Sequence, residues 1–485
     1  MRHLRLTIYA IIASFTIAGC GGSDSAPPAT GTLAVIITDG PTDQFEQILV
    51  TLERMLLLGG NGGQQVVYDG PAITFDLLAL RDRADFAFAG EIIADDYSKI
   101  RLEVSEIQLV DISNPTDPVV VTPVDLPANG KIDLNPRGPF TIEAGQTTIV
   151  ELDMDANRSF QVVEQGNGGF RLRPIFFVNV YKGDILLPSK LVRVFGTVAV
   201  DGVVNTDTEK SALVCELQFV AQLGAPVTDS LDDCVRIFPD LTGIFGEDGM
   251  ATDFADITAG AELTGIGFLT PGDADVLFNL DAVVTEIGGH QPPSPTGWET
   301  LRGVVVSAQE DCDAVMDPQF FCFEPFDTDM PIKTILQAET RVFDSRGNEL
   351  SQADVDADEA ATVDGLRVTN GTEEELLAAL VVLNSDLADL GDVLVSGELT
   401  DVMILDDYDV LTLHDMLPDV MTNVCVTEET DVLRVLVDDE VITIVDLLDP
   451  AALDPSAGHI VEAAGSLATA DMPECDILAD IVIVE

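Results

Sequence analysis

The chain is poor in cations, aromatic rings and histidines. Its 485 residues carry 23 Lys and Arg against 85 Asp and Glu, a formal net charge of −62. A surface this negative repels phosphate backbones, whose binding rests on Lys and Arg, so nucleic acid is not an expected partner. It also repels anionic lipid headgroups unless salt or divalent cations intervene. Trp298 is the only tryptophan and tyrosines number five. Binding pockets for organic ligands are rich in aromatic side chains, so a lectin or polysaccharidase reading loses weight. Beyond His3 the histidines are His290, His414 and His459, in separate segments. A serine hydrolase needs a histidine against its serine. These three are expected at the surface, outside any catalytic group. There is no G-x-S-x-G elbow, H-E-x-x-H pair or P-loop. No C-x-x-C occurs either, so neither a redox dithiol nor a zinc ribbon is indicated. Paired carboxylates for glycoside hydrolysis carry no signal here, because 85 acids supply countless pairs.

What the chain does have begins at its start. "MRHLRL" is positive, "LTIYAIIASFTIAG" is apolar, and Cys20 follows small residues. The apolar run is short of the roughly 20 residues that span a bilayer. A positive start, short apolar core and small residues describe an export signal, residues 1–19. Ile17, Ala18, Gly19 and Cys20 resemble the lipobox of bacterial lipoproteins, where cleavage precedes a lipidated cysteine. Cys20 is therefore the expected lipidation site. Gly21 follows in place of Asp, which resembles lipoproteins sorted to the outer membrane. Residues 20–30, rich in Gly, Ser and Pro, are expected to form a flexible tether. Removing Arg2 and Arg5 takes the mature net charge to −64.

Six cysteines remain: Cys215, Cys234, Cys312, Cys322, Cys425 and Cys475. An even number in an exported chain points to disulfides. Spacing suggests neighbours, 215–234, 312–322 and 425–475.

Strand-like runs dominate. "TLAVIIT", "KIRLEVSEIQLV", "TTIVELDM", "VRVFGTVAV" and "LRGVVVS" are β-branched or alternating, with turn residues between them. "DQFEQILVTLERMLLL" suits helix by composition and strand by length. "TEEELLAALVVLN" is the one clear helix expectation, with Thr372 as cap and Glu375 three residues on.

Three stretches of the N-terminal region carry a resemblance: "GTLAVIITDGPTDQFEQILVTLERM", "FDLLALRDRADFAFAGEIIADDYSKIRLEV" and "TTIVELDMDANRSFQVVEQGNGGFRLRPIFFVNV". Together they resemble a bacterial family known as domain of unknown function 4382, common in lipoproteins. The resemblance implies a β-sandwich-like domain over residues 31–185 and no established activity. Asp95 and Asp96 stand where a glycine is expected ahead of Tyr97. The rest reads as three loose repeats, each with a cysteine-bearing hairpin and an acidic turn: 191–288, 299–404 and 405–485. A period near 100 residues means tandem domains. Their pattern resembles domain of unknown function 5666, which implies small OB-like barrels. "GGHQPPSPTGWE", 288–299, reads as a linker between the first two. The fold class is thus mainly β, a sandwich followed by tandem small barrels, with few helices.

Two acidic stretches compare with calcium loops, which set oxygen ligands at alternate positions. "DMDANRSFQVVE" places Asp153, Asp155, Asn157 and Glu164 at EF-hand spacing, but Arg158 replaces the turn glycine. The family resemblance puts this stretch in a strand, whose side chains alternate between faces and cannot wrap an ion. "DVDADE" offers Asp354, Asp356, Asp358 and Glu359 in a turn after Ser351. Calcium there is the one cofactor the pattern points to, and a solvated acidic turn is the commoner origin of such a run. For the acids as a whole, adaptation to a saline exterior weighs more than cation binding. The expectation is a lipid-anchored envelope protein with a binding, adhesion or scaffolding role, not an enzyme. A carboxylate enzyme acting on envelope or extracellular polymer is the alternative.

Overall fold

The computed structural model describes residues 28–484 apart from 40–46, 61–62, 112–118, 122–123, 137–138, 155–162, 165–169, 172–176, 183–189, 224–233, 273–275, 291–296, 307–311, 313–319, 327–329, 346, 358, 371–372, 384–392, 406–407, 416–419, 428–429, 438–441, 447–452 and 469–471. Cys20 lies outside the described residues. Among the described residues strands carry the fold, with short 3-10 turns and no α-helix.

The N-terminal unit is a pair of sheets. One runs Phe177–Lys182, Thr147–Asp153, Thr30–Thr38, Ala84–Ile93, with the middle two strands parallel. The other centres on Gln47–Leu58, flanked by Ile73–Asp76 and Lys99–Asp111, with Lys131–Asn135 beyond. Leu33, Val35 and Ile37 meet Val50, Leu52 and Leu57 between the sheets. Ala34 and Ile36, on the opposite face, join the core of the next unit. "TLAVIIT" lacks polar alternation because both of its faces are buried. Gln47–Leu58, ambiguous by composition, is a strand because partners on both edges take up its backbone groups. Register shifts beside Leu52 mark a bulge in it.

Three five-stranded barrels follow, each with neighbours in the order 1-2-3-5-4-1. The third and fifth strands are parallel and all other neighbours antiparallel. The first uses Val192–Asn205, Lys210–Gln218, Val235–Pro239, Glu262–Thr270 and Asn279–Ile287. The second uses Trp298–Val306, Phe320–Pro325, Ile332–Asp344, Ala360–Asn370 and Glu373–Leu383. The third uses Val393–Ile404, Asp409–Asp415, Val420–Val426, Ile460–Leu467 and Ile477–Val484. This is the Greek-key plan of an OB barrel.

Two expectations are corrected here. Glu373–Leu383 is a strand, not a helix. It lies between Ala360–Asn370 and Ile332–Asp344 and is buried on both faces, with Leu376, Ala378 and Val381 inside the barrel and Ala379, Leu380 and Val382 against the first barrel. Two-sided burial overrides the helix propensity of Leu, Ala and Glu. The boundary near residue 404 is also displaced. Val393–Ile404 pairs with Asp409–Asp415 and Ile460–Leu467, so it opens the third barrel and does not end the second.

The units are welded together, not strung on linkers. Ala84–Ile93 continues into the first barrel through Val192 and Arg193. Ile442–Asp446, from a hairpin inserted in the third barrel, pairs in parallel with Lys131–Asn135 of the sandwich. Phe245, Ile266, Trp298 and Leu380 share a core between the first two barrels. The proline-rich 288–299 segment is pinned at both ends: Trp298 is buried and its indole N–H donates to Ile287 O at 3.0 Å, while residues 291–296 lie outside the description.

The disulfides join Cys215 to Cys234, Cys312 to Cys322 and Cys425 to Cys475. They occupy unequal places. The first ties the second strand to the start of the third, the second ties the second strand to the loop before it, and the last ties the third strand to the approach of the fifth. The barrels share a topology without sharing a staple.

Candidate functional site

Where the first barrel hands over to the second, the chain forms a groove. Asn279–Ile287 ends in Gly288, whose φ of 113° favours glycine, and a Cβ there would meet Glu247 Cγ at 3.4 Å. Gly289 O accepts from Trp298 N at 3.2 Å, closing the turn. The resulting open groove, about 720 Å³, is lined by Thr197, Glu247, Glu262, Gly288, Trp298 and Arg367 among others. Arg367 Nε donates to Glu299 Oε1 at 2.6 Å, so the groove's cation is already engaged. Glu247 and Glu262 are exposed. The groove therefore offers hydrogen-bond acceptors and backbone to a neutral polar ligand. Its tryptophan is 1% exposed and does not present a ring face.

A buried polar lattice lies where the sandwich and the first two barrels meet, and some of its members are chain neighbours of the groove's lining residues: Glu286 beside Ile287, His290 beside Gly289, Thr300 two after Trp298, Asp364 two before Leu366. The sandwich supplies Arg83 and Asp85. Arg83 pairs with Asp364 through both terminal nitrogens, and its Nη2 donates to Thr300 Oγ1 at 2.8 Å. Arg193 of the first barrel holds Asp85 in a fork, Nε to Oδ1 at 2.8 Å and Nη2 to Oδ2 at 2.7 Å. Arg193 Nη1 donates to Thr300 Oγ1 at 2.7 Å, and that hydroxyl donates to Asp364 Oδ1 at 2.5 Å. One hydroxyl thus accepts from two arginines and donates to a carboxylate, its full capacity. Nearby, Thr362 donates to Asp82, and Arg302 reaches Asp76 at 3.9 Å. The sandwich is thereby bonded to the second barrel at several points.

Charge balance sets the protonation of the remaining groups. Two guanidiniums face two carboxylates. A third acid, Glu286, is fully buried with neither oxygen hydrogen-bonded. Burial pushes its carboxyl up to about 7, against the opposing pull of Arg83 and Arg193. Burial also lowers Arg83, with the like charge of Arg193 next in effect. His290 is held well below its ordinary range by burial and by the two arginines. It is neutral at neutral pH, so its approach to Asp364 at 3.8 Å is not an ion pair.

His290 was expected at the surface and is buried, 8% exposed, because the turn after Gly288 folds it under Trp298. His459 is likewise buried in the third barrel, where Leu399 N donates to its carbonyl. His414 is partly exposed on a strand. The acids of "DVDADE" serve their own turn. Asp354 Oδ2 accepts from Ser351 N at 2.7 Å in a capping box, and Glu359 Oε2 accepts from Asp356 N at 3.3 Å. Asp358 lies outside the described residues. In the other calcium-like stretch, Asp153 ends a strand and Asp155 and Asn157 lie outside the description. Among the described residues no group of three acids, histidines or cysteines converges as a metal site.

The lattice was not anticipated. Its signal was "LRDRADF", residues 80–86: two arginines interleaved with aspartates against an apolar run, in a chain with few cations to place.

Comparison with known families meets the N-terminal unit. Residues 30–174 match the family described as a domain of unknown function, DUF4382. The matched stretch lies in the sandwich and resembles that family. No curated protein matches the chain. Within the matched stretch, Arg83 and Asp85 are among the residues that reach the barrels.

Proposed function

We propose that this chain is a lipid-anchored bacterial envelope protein, held by Cys20 in the outer membrane, with a binding or scaffolding role. The observation that carries the binding role is the groove between the first two barrels, an acceptor-lined cleft on a turn fixed by the hydrogen bonds of Trp298 to Ile287 and Gly289. A preorganised site loses little entropy on binding. The charge and the groove's acceptors favour neutral, hydroxyl-rich envelope or extracellular polymer, or a cationic protein, over nucleic acid. Acyl chains on Cys20, at about 0.8 kcal/mol per buried CH₂, would supply the anchor. Radioactive palmitate tests it: label on the wild type and none on Cys20→Ala is expected, and equal label would refute the anchor. A second reading has one observation in its favour. Glu247 and Glu262 line the same groove, as a carboxylate hydrolase would require.

A further inference from the structure

Five buried polar atoms at the junction of the sandwich and the first two barrels have no hydrogen-bond partner among the described residues: both carboxyl oxygens of Glu286, Thr264 Oγ1, Arg83 Nε and His290 Nδ1. Folded proteins leave few such atoms unpaired, and gathering five in one junction sets it apart. Strand register brings two of the residues together. Glu286 and Thr264 are directly paired across adjacent strands of the first barrel and so share a face. Phe195 pairs with Thr264 on its other side, and Phe245 pairs with Glu286. The carboxyl therefore lies in a row with two buried phenylalanines and one hydroxyl, surroundings that favour its neutral form.

The charged groups around it come from three units. The sandwich supplies Arg83, Asp82 and Asp85, the first barrel Arg193 and the second barrel Asp364. His290, on the turn between the barrels, is neutral. Glu247 and Glu262, at the ends of the neighbouring strands, are exposed. Asp82 is held by Arg81 at 3.1 Å and by Thr362. Two guanidiniums thus match two carboxylates, and an ionised Glu286 makes a third. Arg83 acts on it more strongly than Arg193, and the Arg83 Nε–H has no acceptor of its own.

We propose that Glu286 is a proton-controlled latch on this three-way junction. With its proton on, the two arginines stay with Asp364 and Asp85. With the proton off, the carboxylate draws Arg83 from Asp364, and the second barrel loosens from the other two units. The latch belongs to the junction and does not depend on a ligand in the groove. Thr300 Oγ1 accepts from both arginines, so the loss of one is felt on the first strand of the second barrel. Trp298 lies two residues before it, with its ring edge-on to Phe245 of the first barrel at 6.2 Å. Loosening there uncovers the indole. Burial raises the Glu286 carboxyl to about 7, so the latch is closed below neutral pH and opens above it. His290, held well below its ordinary range, stays neutral through that window.

Trp298 is the only tryptophan, so its emission reads this junction alone. The test follows Trp298 emission and acrylamide quenching in the full mature chain from about pH 5 to about pH 9 at constant ionic strength. Far-UV circular dichroism checks that the strands persist. As pH rises, the wild type should shift its emission to longer wavelength and become more accessible to acrylamide, with a midpoint near 7 and an unchanged dichroism spectrum. Glu286→Gln and Glu286→Met have no proton to lose there and should keep the low-pH signal throughout. His290→Gln should retain the wild-type transition. A flat wild-type signal, a transition that survives in both Glu286 variants, or one that disappears in His290→Gln would overturn the proposal.

Discussion

Arg83 lays its guanidinium against Asp364, 281 residues further along the chain, with the two side chains 1% and 0% exposed. That pair joins the sandwich to a barrel two units away. Isolated buried charges are costly, so each partner depends on the other. Arg83→Met or Asp364→Leu alone should cost about 3–5 kcal/mol, because each strands a buried charge. The double replacement should cost clearly less than the sum. Denaturant unfolding of the four proteins closes the cycle. Additive losses would mean that the pair does not couple the units.

Glu286 gives the stability curve a pH signature. Its carboxyl ordinarily titrates near 4.5 and is raised to about 7 in the fold. The folded chain therefore keeps a proton that the unfolded chain releases. The stabilisation is complete below the ordinary value and is lost as pH rises through about 7, up to roughly 3 kcal/mol. His290, lowered in the fold, acts in the opposite sense, losing stability as pH falls below its ordinary value. Glu286→Gln removes only the first effect. Wild type should lose stability between pH 5 and pH 8 relative to this variant (roughly the two sides of the Glu286 titration). Parallel curves would place the proton elsewhere.

The three disulfides close loops of 50, 19 and 10 residues. On the chain-entropy model, removing Cys425–Cys475 by paired alanines should cost about 4 kcal/mol and removing Cys312–Cys322 about 3. Thermal unfolding of the paired variants orders them. The reverse order would show that native contacts, not loop length, set their worth.

Net charge should govern salt response. Repulsion among like charges opposes compaction. Screening shortens from about 10 Å at 0.1 M to about 3 Å at 1 M, so the melting temperature should rise with sodium chloride. Asp354 and Glu359 already accept from backbone N–H groups of their own turn. Millimolar calcium should therefore add little at high sodium. A calcium increment there, lost in Asp354→Asn with Asp356→Asn, would instead mark a cation site.

Much of the fold was legible in local pattern. Alternating and β-branched runs became strands, and residues 30–174 carried enough family character to be recognised. The errors have one physical source. Glu373–Leu383 looks helical only when its neighbours are unknown, since burial on both faces erases the alternation that marks a strand. Val393–Ile404 was assigned to the wrong barrel because nothing local says which strand will take its backbone groups. The lattice was hidden for the same reason. Arg83, Arg193, Thr300 and Asp364 lie far apart in sequence, and their meeting depends on how three units pack.

The central claim is that the groove binds and does not cut. The direct measurement incubates the full mature chain with isolated envelope and extracellular polymers, following both retention of the protein and release of soluble fragments. The account predicts saturable retention without fragments in the wild type, and weaker retention, again without fragments, in Glu247→Gln with Glu262→Gln. Fragment release by the wild type that disappears in the double variant would contradict it and make the groove an active site.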